Sequence, residues 1–192
     1  LQVFRATAEA SFAKEARVAA DLEAQGEFLG SVAYLEKLLM TYPDGSETES
    51  ARYALSQHLY SSAARIRQLK DCVEKKLTGD DLVKRAVGVL EDFLTQNPTN
   101  PNADEAGFSL ANAWLDLGNQ DESAKLCGRL QKRFTKSKYL DAFLYIEGLA
   151  KGLSVLEAFD TERQRLNATL AAQRTGITRA AARRHLLTLA EL

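Results

Sequence analysis

Proline is scarce in this chain of 192 residues, with three, and glycine is modest at eleven. So few helix breakers leave room for long helices. Abundant Ala, Leu, Glu, Lys and Arg favour them, because these side chains lose little rotamer freedom on a helix. The expectation is an all-α fold. Cysteine is rarer still. Cys72 and Cys127 form no CxxC pair and have no histidine at ligand spacing, which argues against a zinc or redox site and predicts two core thiols. No apolar run approaches the roughly 20 residues needed to cross a bilayer. The first residues alternate alanine with charge and do not build the apolar core of a leader.

Catalytic constellations are missing as well. The chain has no phosphate-binding glycine loop, nucleophile elbow or His-rich cluster. The acidic pairs Asp80/Asp81 and Asp104/Glu105 stand at helix starts, where negative charge favours the helix dipole. His58 is alone in mid-helix, and Trp114 in "ANAWLDLG" has the spacing of a core residue. No enzyme, cofactor or metal is expected. The net charge of -1 conceals an asymmetry: residues 160–192 hold six arginines, no lysine and three acids. The tail is locally basic.

What the chain does have is a repeat. "SVAYLEKLLMTYPDGS" from Ser31, "AVGVLEDFLTQNPTNP" from Ala86 and "SAKLCGRLQKRFTKSK" from Ser123 align at periods of 55 and 37 residues. Apolar residues at Val32, Leu35, Leu38 and Leu39, at Val87, Leu90, Phe93 and Leu94, and at Ala124, Cys127 and Leu130 give each segment one buried stripe. A polar turn follows each, at Pro43, Pro98 and, in the proline position, Thr135. Proline stops a helix because it lacks an N–H and restricts the residue before it. Ala51, Ala106 and Ala142 then let the next helix pack closely. Gly26, Gly118 and, two residues early, Gly79 are read as left-handed helix ends preceding the second helices. The middle unit carries an insertion: Leu55, Leu59, Ile66, Leu69, Val73 and Leu77 continue one stripe and predict an overlong helix between Ala51 and Gly79.

"YPDGSETESARYALSQHLY" and "NPTNPNADEAGFSLANAWLDLGNQDESA" resemble the tetratricopeptide repeats of bacterial envelope and assembly proteins. The resemblance implies a helix-hairpin solenoid over residues 1–148, binding a protein or peptide on a concave face. By phase, that face would include Arg52, Gln57, His58, Asn112 and Asp116. Thr135 in place of proline, Gly128 in place of a bulky apolar residue, and the inserted helix depart from the pattern.

From Gly148 the register decays, and residues 149–192 form a distinct segment. "ATLAAQRTGITRAAARRHLLTLAEL" predicts a short helix near Ala168, a turn at Thr175, Gly176 and Ile177, and a longer helix capped by Thr178. Ala172 followed four residues later by Gly176 is the spacing of a helix-turn-helix. On the last helix Ala182, Leu186 and Leu189 share one face, while Ala180, Arg184 and Leu187 point the other way with Arg183 beside them. With "LAKGLSVLEAF" as opening helix, the segment resembles the helix-turn-helix of IclR-type bacterial transcription regulators. The resemblance implies that Thr178, Arg179, Ala180, Arg183 and Arg184 would meet duplex DNA. In that family a β-wing and an effector-binding domain follow, and neither lies between the motif and Leu192, so the segment is expected to be truncated.

Two function classes emerge. A protein-binding helical-repeat scaffold is the main reading, and a DNA-binding regulator fragment with the repeat as accessory is the alternative. The start at Leu1 suggests a fragment or processed chain. Compartment stays open: cytoplasm if the helix-turn-helix works, envelope if a leader preceded Leu1.

Overall fold

Apolar residues spaced three and four apart predict helices, and the computed structural model is helical there. It describes residues 14, 17–22, 24–41, 46–68, 78–159 and 165–191, and no strand occurs among the described residues. Helical residues 17–22 and 24 come first, and after them the described residues form, in order, α1 Phe28–Thr41, α2 Ser46–Gln68, α3 Gly79–Gln96, α4 Ala103–Asp116, α5 Gln120–Arg133, α6 Leu140–Glu157, α7 Ala168–Thr175 and α8 Arg179–Glu191. The chain divides into two compact units, Leu1–Ala113 and Trp114–Leu192, the division falling inside α4.

In the first unit α2 packs along both α1 and α3. The predicted stripe on α1 is real: Val32, Leu35 and Leu38 are buried, and Leu38 packs with Ala51, Tyr34 and Leu39. From α2 come Ala51, Leu55, Leu59 and Ala63, and from α3 Leu82, Val83, Ala86, Val87, Leu90, Phe93 and Leu94. Burying each large side chain of this set contributes about 1.5–3 kcal/mol. Tyr53 leans on Phe93 with ring centroids 5.7 Å apart. On α4 the buried residues are small, Ala103, Ala106, Gly107, Ala111 and Ala113, around Leu110.

In the second unit α5 and α6 form a hairpin. Leu126, Cys127 and Leu130 of α5, and Phe143, Ile146, Ala150 and Val155 of α6, are its buried apolar residues. Cys127 is fully buried and is the core thiol expected, and burial, with the Glu147 charge adding to it, pushes its pKa up to about 12. Cys72 lies outside the described residues.

The repeat recurs in hydrogen bonds as well as in letters. After α3, Asn97 caps the helix by donating to Phe93 O at 2.8 Å, and after α5 Phe134 donates to Leu130 O at 2.8 Å. Asn100 N then bonds Asn97 O and Ala103 N bonds Asn100 O, just as Ser137 N bonds Phe134 O and Leu140 N bonds Ser137 O. Thr135 therefore occupies the same turn as Pro98 without being proline, because the side-chain acceptors Asn100 Oδ1 and Ser137 Oγ hold equivalent N–H groups downstream. Gly26 and Gly118 are left-handed, with φ 83° and 74°. Each ends a helix the same way, the next N–H reaching back to Leu22 O or Trp114 O at 2.8 Å.

Gly79 departs from its predicted role. It is the first residue of α3, and Thr78 is the N-cap. Thr78 Oγ1 accepts from Asp81 N at 3.2 Å while Asp81 Oδ2 accepts from Thr78 N at 3.0 Å, a reciprocal capping box that needs no left-handed residue. Those hydrogen bonds from Thr78, backbone first, hold the Asp81 carboxyl below its ordinary range. The overlong middle helix is described to Gln68. Its predicted continuation through Leu69, Val73 and Leu77 lies outside the described residues.

Candidate nucleic-acid interface

Local chemistry sets α7 and α8 at a fixed turn. Asn167 opens α7, its side-chain oxygen accepting from Leu170 N at 2.9 Å. Gly176 closes it in the left-handed conformation, φ 70°, its N–H bonded to Ala172 O at 3.0 Å. A side chain at Gly176 would meet nothing within 4 Å, so the need for glycine is one of backbone and not of space. Two residues on, Thr178 Oγ1 accepts from Ala181 N at 3.2 Å and starts α8. The expected turn and N-cap are both as read from the sequence.

Packing then decides which face of α8 is available. Ala171 of α7 and Ala182 of α8 are fully buried in this packed pair, and α6 lies against both helices. Such small residues let helix axes approach. Leu186 and Leu189 are half-buried on the same side as Ala182. Gly152 of α6 sits beside His185, close enough that an added Cβ would lie 3.6 Å from its Nδ1. Burial, and then the charges of Arg184 and Lys151, hold the His185 pKa below its ordinary value. Arg174 donates from its guanidinium to Ala158 O, tying the end of α7 to the end of α6.

All five residues expected to meet DNA are exposed: Thr178, Arg179, Ala180, Arg183 and Arg184. Thr178 uses its hydroxyl as the cap. The other four occupy the first two turns of α8, three guanidinium groups around one small Ala180. Guanidinium groups can bridge phosphates or bind guanine edges bidentately, and alanine permits close approach to a groove floor.

The residues expected on a concave protein-binding face are differently placed. Arg52 donates to Gln96 Oε1 at 2.6 Å, Gln57 to Ser109 Oγ at 3.1 Å, and Asn112 to Phe108 O at 3.0 Å. His58 Nδ1 shares a 2.7 Å hydrogen bond with buried Ser31 Oγ. Three of these four bonds join neighbouring helices of the first unit. Asp116 is exposed at the end of α4 and falls in the second unit.

Sequence reasoning passed over two features. One is Asn167, whose signal is an N-cap residue type directly before an apolar-periodic run. The other is on α5, where Lys125, Arg129 and Lys132 line a groove of about 820 Å³ that also touches Glu147, Lys151 and Ser154 of α6 and the turn residues Thr175, Gly176 and Ile177. Its signal is a run of six Lys and Arg with no acid over residues 125–138.

Comparison with known proteins agrees with the helix-turn-helix geometry. Residues 148–192 match the IclR helix-turn-helix domain. Over 71 residues the chain is 44% identical to the Pca operon regulatory protein of Acinetobacter baylyi, covering 37% of this chain and 26% of that protein. Over 45 residues it is 69% identical to the p-hydroxybenzoate hydroxylase transcriptional activator of the same organism, covering 23% of this chain and 17% of the activator. The chain thus spans about a quarter and a sixth of the lengths of these relatives. These matches correct the main reading of the sequence: they speak against a protein-binding scaffold and favour its alternative, a DNA-binding transcription regulator. Among the polar residues that suggested a binding face, Arg52, Gln57, His58 and Asn112 form hydrogen bonds inside the chain. The chain is similar, over its C-terminal helices, to the DNA-binding part of IclR-type regulators.

Proposed function

We propose that this chain carries the DNA-binding head of a transcription regulator, with α8 as recognition helix. The observation that carries the reading is the division of α8 itself: Ala182 is fully buried against the rest of the motif while Arg179, Ala180, Arg183 and Arg184 are all exposed. The match of residues 148–192 to the IclR helix-turn-helix domain supports it. In this reading the N-terminal turn of α8 enters the major groove, with Arg179 and Ala180 nearest the base edges and Arg183 and Arg184 on base edges or flanking phosphates. Thr178 fixes the helix start and offers its backbone to a phosphate.

The division at residues 148 and 149 belongs to the same proposal, with tetratricopeptide-like hairpins before it and the DNA-binding segment after. What supports the hairpin part is the recurrence of the Gly26 and Gly118 helix ends and of the turns after α3 and α5.

The test is fluorescence anisotropy of the full chain with duplex DNA over a range of salt. Binding should weaken steeply with salt, as counterion release requires. Changing Arg183 and Arg184 together to Ala should abolish it at moderate salt. Binding that survives this change with its salt slope intact would remove α8 from the interface.

A further inference from the structure

The groove beside the helix-turn-helix is walled on one side by α5, which precedes the segment matched to the IclR domain. Lys125, Arg129 and Lys132 lie four and three residues apart, so they share one helical face, and all three are exposed. The groove lining stays net positive, since Lys125, Arg129, Lys132 and Lys151 face two carboxylates, Asp121 and Glu147. Glu147 is the carboxylate facing them from α6, and it is hydrogen-bonded by Lys151 and by Gln131 at 2.6 Å. Burial pushes the Glu147 pKa up, but the Lys151 and Gln131 hydrogen bonds outweigh it and hold the carboxyl below its ordinary range, as the ion of a pair. Asp121 stands at the first turn of α5, where negative charge suits the helix dipole. Glu122, outside the groove, binds Lys125 at 2.9 Å on the exposed surface, a pairing of small worth.

Across the groove stands the turn Thr175, Gly176 and Ile177, which leads directly into α8. A strand of DNA following the edge of the major groove past this turn would run along the α5 cations. The 71 aligned residues of the Pca operon regulatory protein cannot all fall within the 45 residues from 148 to 192, so at least 26 of them precede Gly148, where α5 and the start of α6 are nearest.

We infer that the α5 face of Lys125, Arg129 and Lys132 is a second, sequence-independent contact for the DNA phosphate backbone, extending the footprint of α8 to one side. The inference rests on the DNA-binding reading above. Its chemistry is that of cations on a phosphodiester chain: point charges and an arginine fork that add affinity and fix orientation but read no bases.

The experiment uses the full chain and two duplexes of unrelated sequence, each long enough to extend beyond α8 on both sides. Arg129→Ala with Lys132→Ala should weaken binding to both duplexes by the same factor and lower the salt slope by about two. Arg129→Lys with Lys132→Arg should keep the slope of the unaltered chain. Circular dichroism checks that α5 stays helical, and if the alanine pair loses helix, Arg129→Gln with Lys132→Gln is measured in its place with the same expectation. An unchanged slope in the neutralised pair, while Arg183→Ala with Arg184→Ala loses binding, overturns this inference and leaves the α8 reading standing. Failure of the unaltered chain to bind either duplex overturns both. A loss confined to one of the two sequences also overturns it, because phosphate contacts cannot discriminate bases.

Discussion

Helices α3 and α8 are built on opposite plans. Of the 18 residues of α3, eight are buried, so nearly every apolar position is used up holding the first unit together. Of the 13 residues of α8, only Ala182 is buried, so most of its side chains are free of packing constraint. The contrast separates structural helices from a candidate working one more sharply than composition does. A side chain buried in a core cannot meet a ligand, whereas an exposed arginine on a helix anchored by alanine contacts has no core to serve. The same contrast explains why the polar residues of α2 and α4 mislead. Gln57 and His58 have the look of binding residues, yet they hydrogen-bond to Ser109 and Ser31 on neighbouring helices.

The comparison can be broken most directly at Phe93, which is fully buried on α3. Phe93→Ala should cost about 3–5 kcal/mol, the transfer loss plus a cavity, measured by urea unfolding followed by circular dichroism. A loss below about 1 kcal/mol would mean that α3 is not held by this core. Next comes Ala182→Leu. Overpacking the crossing of the motif should cost about 1–3 kcal/mol and also displace α8, so DNA affinity should fall although no exposed atom has been removed. Retained affinity would show that the seat of α8 tolerates the extra volume.

Gly176→Ala isolates the backbone, since the new methyl meets no atom within 4 Å. Only the left-handed φ is penalised, and the expected loss is about 1 kcal/mol in a thermal melt. The smallest effect on stability is expected for Arg183→Ala with Arg184→Ala, within about 0.5 kcal/mol, because both side chains are exposed. The same pair should lower the salt slope of DNA binding by about two. A variant that unfolds the chain would place these arginines in the structure and not in the interface.

Much of the helix-turn-helix was readable in advance because its boundaries are decided by neighbours in sequence. Thr178 caps α8 through the N–H only three residues further on, and Gly176 supplies the left-handed conformation that favours glycine. The hairpin turns after Pro98 and Thr135 were readable for the same reason, as each is closed by bonds spanning three residues. Gly79 was misread because two local devices compete at that point, and the capping box of Thr78 and Asp81 starts a helix where a glycine end was predicted. The α5 cations went unnoticed for a different reason. Lys125, Arg129 and Lys132 gain meaning only from the turn at Gly176, more than 40 residues downstream, which folding brings to the same groove.

Residue type and spacing alone therefore determined that the chain is all-α, where the turns at Pro98, Thr135 and Gly176 fall and which stripes α1, α3 and α5 bury, because helix formation, capping and amphipathic burial are short-range effects. Tertiary structure decided which polar groups are spent on one another, which face of α8 is presented, and that a basic strip of α5 flanks the turn before it. Those outcomes depend on hydrogen bonds and burial between residues far apart in sequence, as with His58 and Ser31, and no local pattern encodes the partner.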